Sequence, residues 1–117
     1  MSPLTITARD AATGPVLEIT GDLDHETAPE LRDAVNDLAL AAGLVLVLDL
    51  ARLDFCDSSG ISALLSARSR AVEQGGGIAL AAVPANTSRI LRITGLDRVF
   101  PIHPDAATAT ALNSAAL

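Results

Sequence analysis

LDFCDSSGIS, which runs from Leu53 to Ser62, joins a strand pattern to a helix pattern. It follows an almost continuously apolar run, LVLVLDL (Leu44–Leu50), which is typical of a strand covered on both faces of a sheet. An acid, two serines and a glycine then interrupt the apolar residues, and apolar residues at helical spacing begin directly afterwards. The stretch therefore predicts a buried strand, a tight turn, and a helix that begins at the turn.

Other strands are predicted wherever a short apolar or alternating run lies between turn-forming residues. Together with the run at Leu44–Leu50, these runs cover residues 4–8, 15–21, 78–83 and 98–102. The first two are joined by a short turn at residues 10–15 and are expected to pair as antiparallel neighbours.

Helices are predicted where apolar residues recur every three to four positions. The first predicted helix covers residues 28–42, and the second is marked by apolar residues between positions 61 and 72. A short third helix contains the apolar residues of 90–93 and is stopped by Gly95, and a short fourth helix is capped by Asp105. Thr27 and Glu30 form an expected capping box at the first helix, and Gly43 is its expected stop. The third helix is expected to be capped by Asn86 or Thr87.

The alternation of strands and helices after an opening hairpin predicts an α/β fold. We expect a mixed, largely parallel sheet of about five strands with about four helices, because each crossover between parallel strands uses a helix. The 117 residues are enough for one hydrophobic core, so residues 1–117 are predicted to form a single domain.

The charge balance and the residue types exclude several classes of function. The net charge is −6, from 14 acidic and 8 basic residues, so nucleic acid and anionic membranes are not expected partners. All eight basic residues are arginine, and without lysine the chain has no Schiff-base or phosphate-loop chemistry. No apolar run is long enough to span a membrane, and a cytoplasmic protein is expected.

The thiol and imidazole groups are also few. Cys56, His25 and His103 cannot supply a zinc site, so no metal and no other cofactor is predicted. A lone cysteine forms no intramolecular disulfide, which suits a reducing compartment. Cys56 is expected to be a small buried apolar group.

The turn Asp57-Ser58-Ser59-Gly60 lies at the carboxyl end of a strand, where functional groups gather in open α/β sheets. A second junction of this kind is GDLDHETA, residues 21–28. One helix cap needs one hydroxyl or carboxylate, yet three candidates stand in a row here. Either the turn is only a cap, or one serine is a phosphate acceptor whose added charge changes a docking surface.

Catalysis by the domain itself fits the residues poorly. A serine hydrolase would need a Gly-x-Ser-x-Gly elbow with a histidine and an acid, which this turn lacks. A response-regulator receiver would need a lysine opposite its acid, and nucleotide hydrolysis would need a glycine-lysine phosphate loop. The chain is therefore predicted not to be an enzyme.

Three segments together resemble the STAS domain of bacterial anti-sigma factor antagonists. They are GDLDHETAPELR, then LVLDLARLDFCDSSGISALL, then, after a glycine-rich turn, PANTSRILRITGLDRVF. The resemblance extends from about Val16 to Ile102, and Cys56 departs from it where members of the family often have methionine.

The resemblance implies a partner-switching role. In its unphosphorylated form the domain would bind an anti-sigma factor and release a sigma factor, and that partner, a serine kinase, would phosphorylate Ser58. A serine phosphatase would reverse the switch. Six further residues are expected to take part in partner binding: Asp22, Asp24, Asp57, Ser59, Gly60 and Ile61.

An alternative of a different class stays open from the sequence. The chain could be a non-catalytic STAS interaction subunit of a larger assembly, such as a lipid-transport or stress-sensing complex, without a phosphorylation cycle. In that case the serine turn would be a fixed docking surface. A complex that is insensitive to Ser58→Asp would favour this alternative.

Overall fold

The apolar strand that precedes the serine turn is the central strand of a five-stranded sheet in the computed structural model, which describes residues 3–111. The sheet has the order β1-β2-β3-β4-β5. Its strands are β1 (Thr5–Ala11), β2 (Gly14–Leu23), β3 (Val45–Cys56), β4 (Gly77–Ala81) and β5 (Ile102–His103). β1 pairs antiparallel with β2, and all the other pairs are parallel.

The first three helices connect the parallel strands in the predicted order, and the fourth follows β5. They are α1 (Ala28–Asn36), α2 (Ser58–Glu73), α3 (Ala85–Ile93) and α4 (Ala106–Ala109), and a 3₁₀ turn covers Leu96–Arg98. Within residues 3–111, none of the helices has the length and the apolar character needed to cross a membrane. The predicted α/β class with a mixed, mostly parallel sheet is confirmed.

Alternate residues of β3 point to two different cores. Leu46, Leu48 and Leu50 are fully buried in the larger core, to which α1, α2 and α3 contribute apolar residues. Val47 points to the opposite face, where it packs with Val16, Ala79 and Ala81 against alanines of α4. Because both faces of the first half of β3 are covered, the continuously apolar sequence of that half is explained.

The first helix is shorter than its sequence pattern predicted. It ends at Asn36, although the pattern extends to residue 42. The chain turns away so that Leu40 can pack in the larger core, where its amide donates a hydrogen bond to Gln74 Oε1 at 3.1 Å. Gly43 has the expected positive φ of 85°, but it serves the turn before β3 and not the helix end.

The second helix begins at its polar turn, as the sequence predicted. It covers Ser58–Glu73, and its buried face includes Ile61, Leu64 and Ala67. Val72, which the pattern placed on the apolar side, is 51% exposed.

The last third of the chain differs most from the prediction. The expected cap at Asn86 or Thr87 is wrong, because α3 begins at Ala85 and Thr87 is buried inside its first turn. The strand expected at residues 98–102 is wrong as well. Phe100 enters the larger core from a turn, and only Ile102–His103 pair with β4. The helix capped by Asp105 is present, since the Asp105 carboxylate accepts a hydrogen bond from the Thr108 amide at 2.7 Å.

Candidate functional site

The two junctions that the sequence singled out lie side by side. β2 and β3 are parallel neighbours, so their carboxyl ends reach the same edge of the sheet, with Leu23 opposite Cys56. The Asp57 amide donates a hydrogen bond to the Leu23 carbonyl at 3.3 Å, which ties the start of the serine turn to the end of β2. We call the residues 21–27 and 54–60 at this edge the switch edge.

Asp57 is the N-cap of α2. Its backbone is extended, and its carboxylate Oδ1 accepts a hydrogen bond from the Gly60 amide at 3.0 Å. The Ile61 amide donates to the Asp57 carbonyl at 3.0 Å, which closes the first turn of the helix. The one cap that the helix needs is therefore supplied by the acid, and neither serine is required for capping.

The two serines occupy the first two positions of α2 and differ in accessibility. Ser58 is exposed, whereas Ser59 is half-buried. Within residues 3–111, neither hydroxyl makes a hydrogen bond, and the amides of both serines also have no acceptor. These two amides are among the unpaired N–H groups at the positive end of the helix dipole, an environment that favours an anion.

Gly60 is required by the space around it and not by its backbone conformation. A Cβ atom added at Gly60 would lie 2.6 Å from Cys56 Sγ and 2.6 Å from the Leu23 carbonyl oxygen. Only glycine lets the first turn of α2 pack this closely against the ends of β2 and β3. Gly60 is itself buried, so its contribution to the switch edge is to bring Ser58 close to the sheet.

Cys56 is a buried thiol, as its sequence context predicted, and it lies under the turn at 7% exposure. Its Sγ donates a weak hydrogen bond to the Asp57 carbonyl at 3.7 Å. Burial, and secondarily the charge of Asp57, raise the pKa of the thiol to about 12. The thiol is therefore protonated at neutral pH and is not a nucleophile.

The loop between β2 and α1 holds itself together with its own polar groups. Asp24 Oδ1 accepts hydrogen bonds from the Glu26 amide at 2.9 Å and from the Thr27 amide at 3.1 Å. The Thr27 hydroxyl donates to the Asp22 carbonyl at 2.7 Å and accepts from the Asp24 amide at 2.9 Å. The expected capping box is wrong, because Asp24 and Asp22 engage the Thr27 hydroxyl and it makes no cap bond to α1.

The structure distributes the expected site residues between the surface and the core. Ser58 is exposed, and Asp22, Asp24, Asp57 and Ser59 are half-buried along the switch edge. Ile61 is only 7% exposed and belongs to the larger core, so its side chain supports the turn from below. Within residues 3–111, no cluster of histidine, cysteine, aspartate and glutamate could hold a metal ion.

One residue of the switch edge was missed by the sequence reasoning. Phe55 is 52% exposed, although it is one of only two aromatic residues in the chain and the other, Phe100, is 1% exposed. Phe55 lies two residues after Leu53, so regular alternation from Leu53 predicts that it is buried in the core. The sequence of β3 does not show where its pairing with β2 is irregular, so it did not assign Phe55 to the surface.

Comparisons with known proteins were made for sequence and structure. Residues 6–103 match the family model described as "Mlab, STAS domain". The chain is 31% identical over 97 residues to the anti-sigma-F factor antagonist RsfB of Mycobacterium tuberculosis, a match that covers 83% of this chain and 79% of RsfB. It is 28% identical over 95 residues to an anti-sigma F factor antagonist of Paenibacillus polymyxa, covering 80% and 81% of the two chains.

The fold is also similar to solved structures. The crystal structure of an anti-sigma factor antagonist from Mycobacterium paratuberculosis superposes with a TM-score of 0.79 at 28% identity, covering 92% of this chain and 94% of that one. The unphosphorylated form of the anti-sigma factor antagonist SpoIIAA gives a TM-score of 0.69 at 19% identity, which is a likeness of fold alone. This chain therefore belongs to the STAS-domain family of anti-sigma factor antagonists.

Proposed function

We propose that this chain, as one STAS domain, acts as an anti-sigma factor antagonist that is switched by phosphorylation of Ser58. With a free Ser58 hydroxyl it binds an anti-sigma factor and so releases a sigma factor. That anti-sigma factor is a serine kinase, and a separate serine phosphatase restores the free hydroxyl. The relatives named anti-sigma factor antagonists support the general role.

The observation that carries the proposal is the exposed Ser58 hydroxyl on a rigid turn. Asp57 already caps the helix, so the Ser58 hydroxyl is free to react without loss of a structural hydrogen bond. Ser59, the other candidate, is half-buried and is a poorer acceptor for a phosphoryl group delivered from another protein. Gly60 and the buried Ile61 hold the turn at a fixed height above the sheet.

The chemistry of the switch is a phosphoryl transfer in which this chain supplies only the acceptor. The Ser58 oxygen attacks the γ-phosphorus of magnesium-bound ATP in the partner's active site, and the bond from the γ-phosphorus to the bridging oxygen breaks. ADP leaves, and a base of the partner takes the hydroxyl proton. The phosphatase later hydrolyses the phosphoserine to serine and inorganic phosphate.

The charge of the phosphoryl group causes the complex with the anti-sigma factor to dissociate. It adds about −1.5 to −2 charges at neutral pH, while the fold around it is unchanged. In the complex this charge would lie against the phosphates of the partner's nucleotide, and like charges at such short range repel strongly. Asp22 and Asp24 form the neighbouring acidic rim, which adds to the negative potential.

The proposal is tested by phosphorylation of the purified chain. Each small serine-kinase anti-sigma factor encoded in the source genome is incubated with the chain and magnesium ATP, and the products are analysed by intact mass and peptide mapping. We expect one partner to add a single phosphoryl group to Ser58. Ser58→Ala should bind that partner without being phosphorylated, and Ser58→Asp should bind it more weakly.

The matched control is Ser62→Ala, which removes an exposed serine one helical turn further along α2. This variant should be phosphorylated like the wild type. Phosphate found only on Ser59 would contradict the residue assignment. A stable complex that is never phosphorylated and that tolerates Ser58→Asp would instead identify a fixed interaction subunit without a phosphorylation cycle.

A further inference from the structure

The exposed side chain of Phe55 lies three residues before Ser58 in the sequence and at the same edge of the sheet. Its exposure of 52% contrasts with the apolar side chains on either side, Leu53 and Cys56, which are 5% and 7% exposed. Large aromatic side chains that remain at the surface gain little for the fold. They are the side chains most often found at the centres of protein interfaces.

The exposure of Phe55 is caused by an irregularity in the pairing of β2 with β3. Gly21 lies opposite Leu53, but the next residue of β2, Asp22, lies opposite Phe55, so β3 has one extra residue at this point. An earlier extra residue of β3, between Asp49 and Arg52, has already placed Leu53 on the core face. With regular alternation from Leu53 onward, Phe55 would share that face and Cys56 would face outward.

The extra residue reverses this outcome. Cys56 faces the core beneath Gly60, where its Sγ leaves no room for a Cβ on Gly60, and Phe55 faces outward beside Asp22. Bulges that redirect a side chain in this way are concentrated next to functional sites. The same bulge therefore seats the serine turn and brings an aromatic ring to the surface beside it.

The surroundings of Phe55 are acidic. The acidic, basic and imidazole side chains of the switch edge and of the adjoining end of β3 are Asp22, Asp24, His25, Glu26, Arg52, Asp54 and Asp57. Five of the seven are carboxylates. The Asp54 side chain, next to Phe55, is exposed and makes no ion pair or hydrogen bond within residues 3–111. A partner that covers Phe55 would be favoured by basic groups opposite Asp54.

We propose that Phe55 is the apolar anchor of the complex with the anti-sigma factor, and that it fills an apolar pocket whose rim carries arginine or lysine opposite Asp54. This inference rests on the proposed function and names the residue that supplies affinity, whereas Ser58 supplies the switch. Ile61, which the sequence offered as an apolar contact, is buried and cannot take this role.

The experiment measures the dissociation constant of the anti-sigma factor kinase that phosphorylates the wild-type chain, with Phe55→Ala, Phe55→Leu and Ile93→Ala. Ile93 is the matched control, because it is 77% exposed on α3 and outside the switch edge. We expect the dissociation constant to rise about 10-fold or more for Phe55→Ala. It should rise less for Phe55→Leu and stay within about two-fold for Ile93→Ala.

A kinetic readout separates anchoring from a general structural effect. Phe55→Ala should raise the KM for phosphorylation of Ser58 and leave kcat unchanged, because the ring binds the partner and does not touch the transferred group. Thermal unfolding of each variant shows that the fold is intact, and a half-exposed side chain predicts little change.

The outcomes distinguish the two proposals. If none of the kinases binds or phosphorylates the wild type, the proposed function and the anchor both fail. If the wild type is bound and Phe55→Ala is bound equally well, only the anchor is refuted. If Ile93→Ala weakens binding instead, the docking surface lies on α3 and the anchor is again refuted.

Discussion

The helices α1 and α2 both begin at the switch edge, directly after parallel strands, yet the polar groups at their starts are used differently. At α1, the Asp24 carboxylate binds two amides, and the Thr27 hydroxyl donates to one carbonyl and accepts from one amide, so the loop is satisfied internally. At α2, the Asp57 carboxylate binds a single amide, and the Ser58 and Ser59 hydroxyls bind nothing within residues 3–111.

The polar groups at the start of α1 therefore stabilise the fold, whereas the hydroxyls at the start of α2 are free to be modified. Removal of a side chain from the α1 loop leaves backbone groups without partners, whereas modification of Ser58 disturbs no hydrogen bond. Four variants or conditions test this contrast.

The largest effect is expected where the α2 start meets the strands. Gly60→Ala places a Cβ 2.6 Å from a backbone oxygen that cannot move away, so we expect the free energy of unfolding to fall by about 3 kcal/mol, more than the gain from alanine in a helix. Urea denaturation measures it. Gly77→Ala is the control, because its Cβ would meet Val45 Cγ2 at 3.9 Å, an ordinary contact. Equal stability of the two variants would mean that the turn is loosely packed.

The next effect is a dependence of stability on alkaline pH. The chain has no lysine and no tyrosine, so Cys56 is the only side chain expected to titrate between about pH 9 and 11. Burial raises its pKa in the folded state from 9.0 to about 12, so the folded state holds the proton more tightly. The protonated Cys56 thiol makes its full contribution to the free energy of unfolding below pH 9. That contribution is lost as the pH rises towards 12, by about 1.4 kcal/mol per pH unit.

This dependence can be measured by urea denaturation at pH 8, 9, 10 and 11, values that lie on both sides of 9.0, the pKa of the thiol before burial raises it. In Cys56→Ala the pH slope should vanish, although the variant is less stable at every pH. A wild-type protein whose stability is flat over this range would show that the thiol is accessible to water.

A smaller effect should distinguish the two acids. Asp24→Ala removes the acceptor of two amides and should lower the free energy of unfolding by about 2 kcal/mol, whereas Asp57→Ala removes one cap and should lower it by about 1 kcal/mol. Asp57→Asn keeps an acceptor oxygen and should be nearly neutral, which separates capping from charge. The reverse order of the two alanine variants would contradict the contrast between the helix starts.

The smallest effect is expected at the switch itself. Ser58→Ala should change the free energy of unfolding by less than about 0.5 kcal/mol, because the hydroxyl is exposed and makes no hydrogen bond within residues 3–111. Ser62→Ala provides the same chemical change one helical turn further along α2. A clearly destabilised Ser58→Ala would show that the hydroxyl is structural and would weaken its assignment as the acceptor.

Local patterns were sufficient for the parts of the chain in which neighbours in sequence are neighbours in space. The apolar run of β3, the start of α2 at its polar turn and the cap at Asp105 are all of this kind. The exposure of Ser58 could be expected for the same reason, since the first residues of a helix that follows a buried strand lie at the edge of the sheet.

The errors arose where a distant residue decides the outcome. The end of α1 depends on Gln74, which lies 34 residues beyond Leu40 and binds its amide. The failed capping box is an exception, because it depends on the nearby Asp24 and Asp22, which compete for the Thr27 hydroxyl. The exposure of Phe55 depends on how β3 pairs with β2, which the sequence of β3 alone does not specify.

The two lateral strands of the sheet have a consequence for how the protein behaves at high concentration. β1 is mostly exposed and carries threonines and the charged pair Arg9 and Asp10, and β5 has only two residues, enclosed by Pro101 and Pro104. Short, charged or proline-flanked margins discourage the addition of a foreign strand. Both edge strands therefore disfavour intermolecular β-sheet pairing, which would lead to fibres. Contacts with other proteins are expected to be made by side chains.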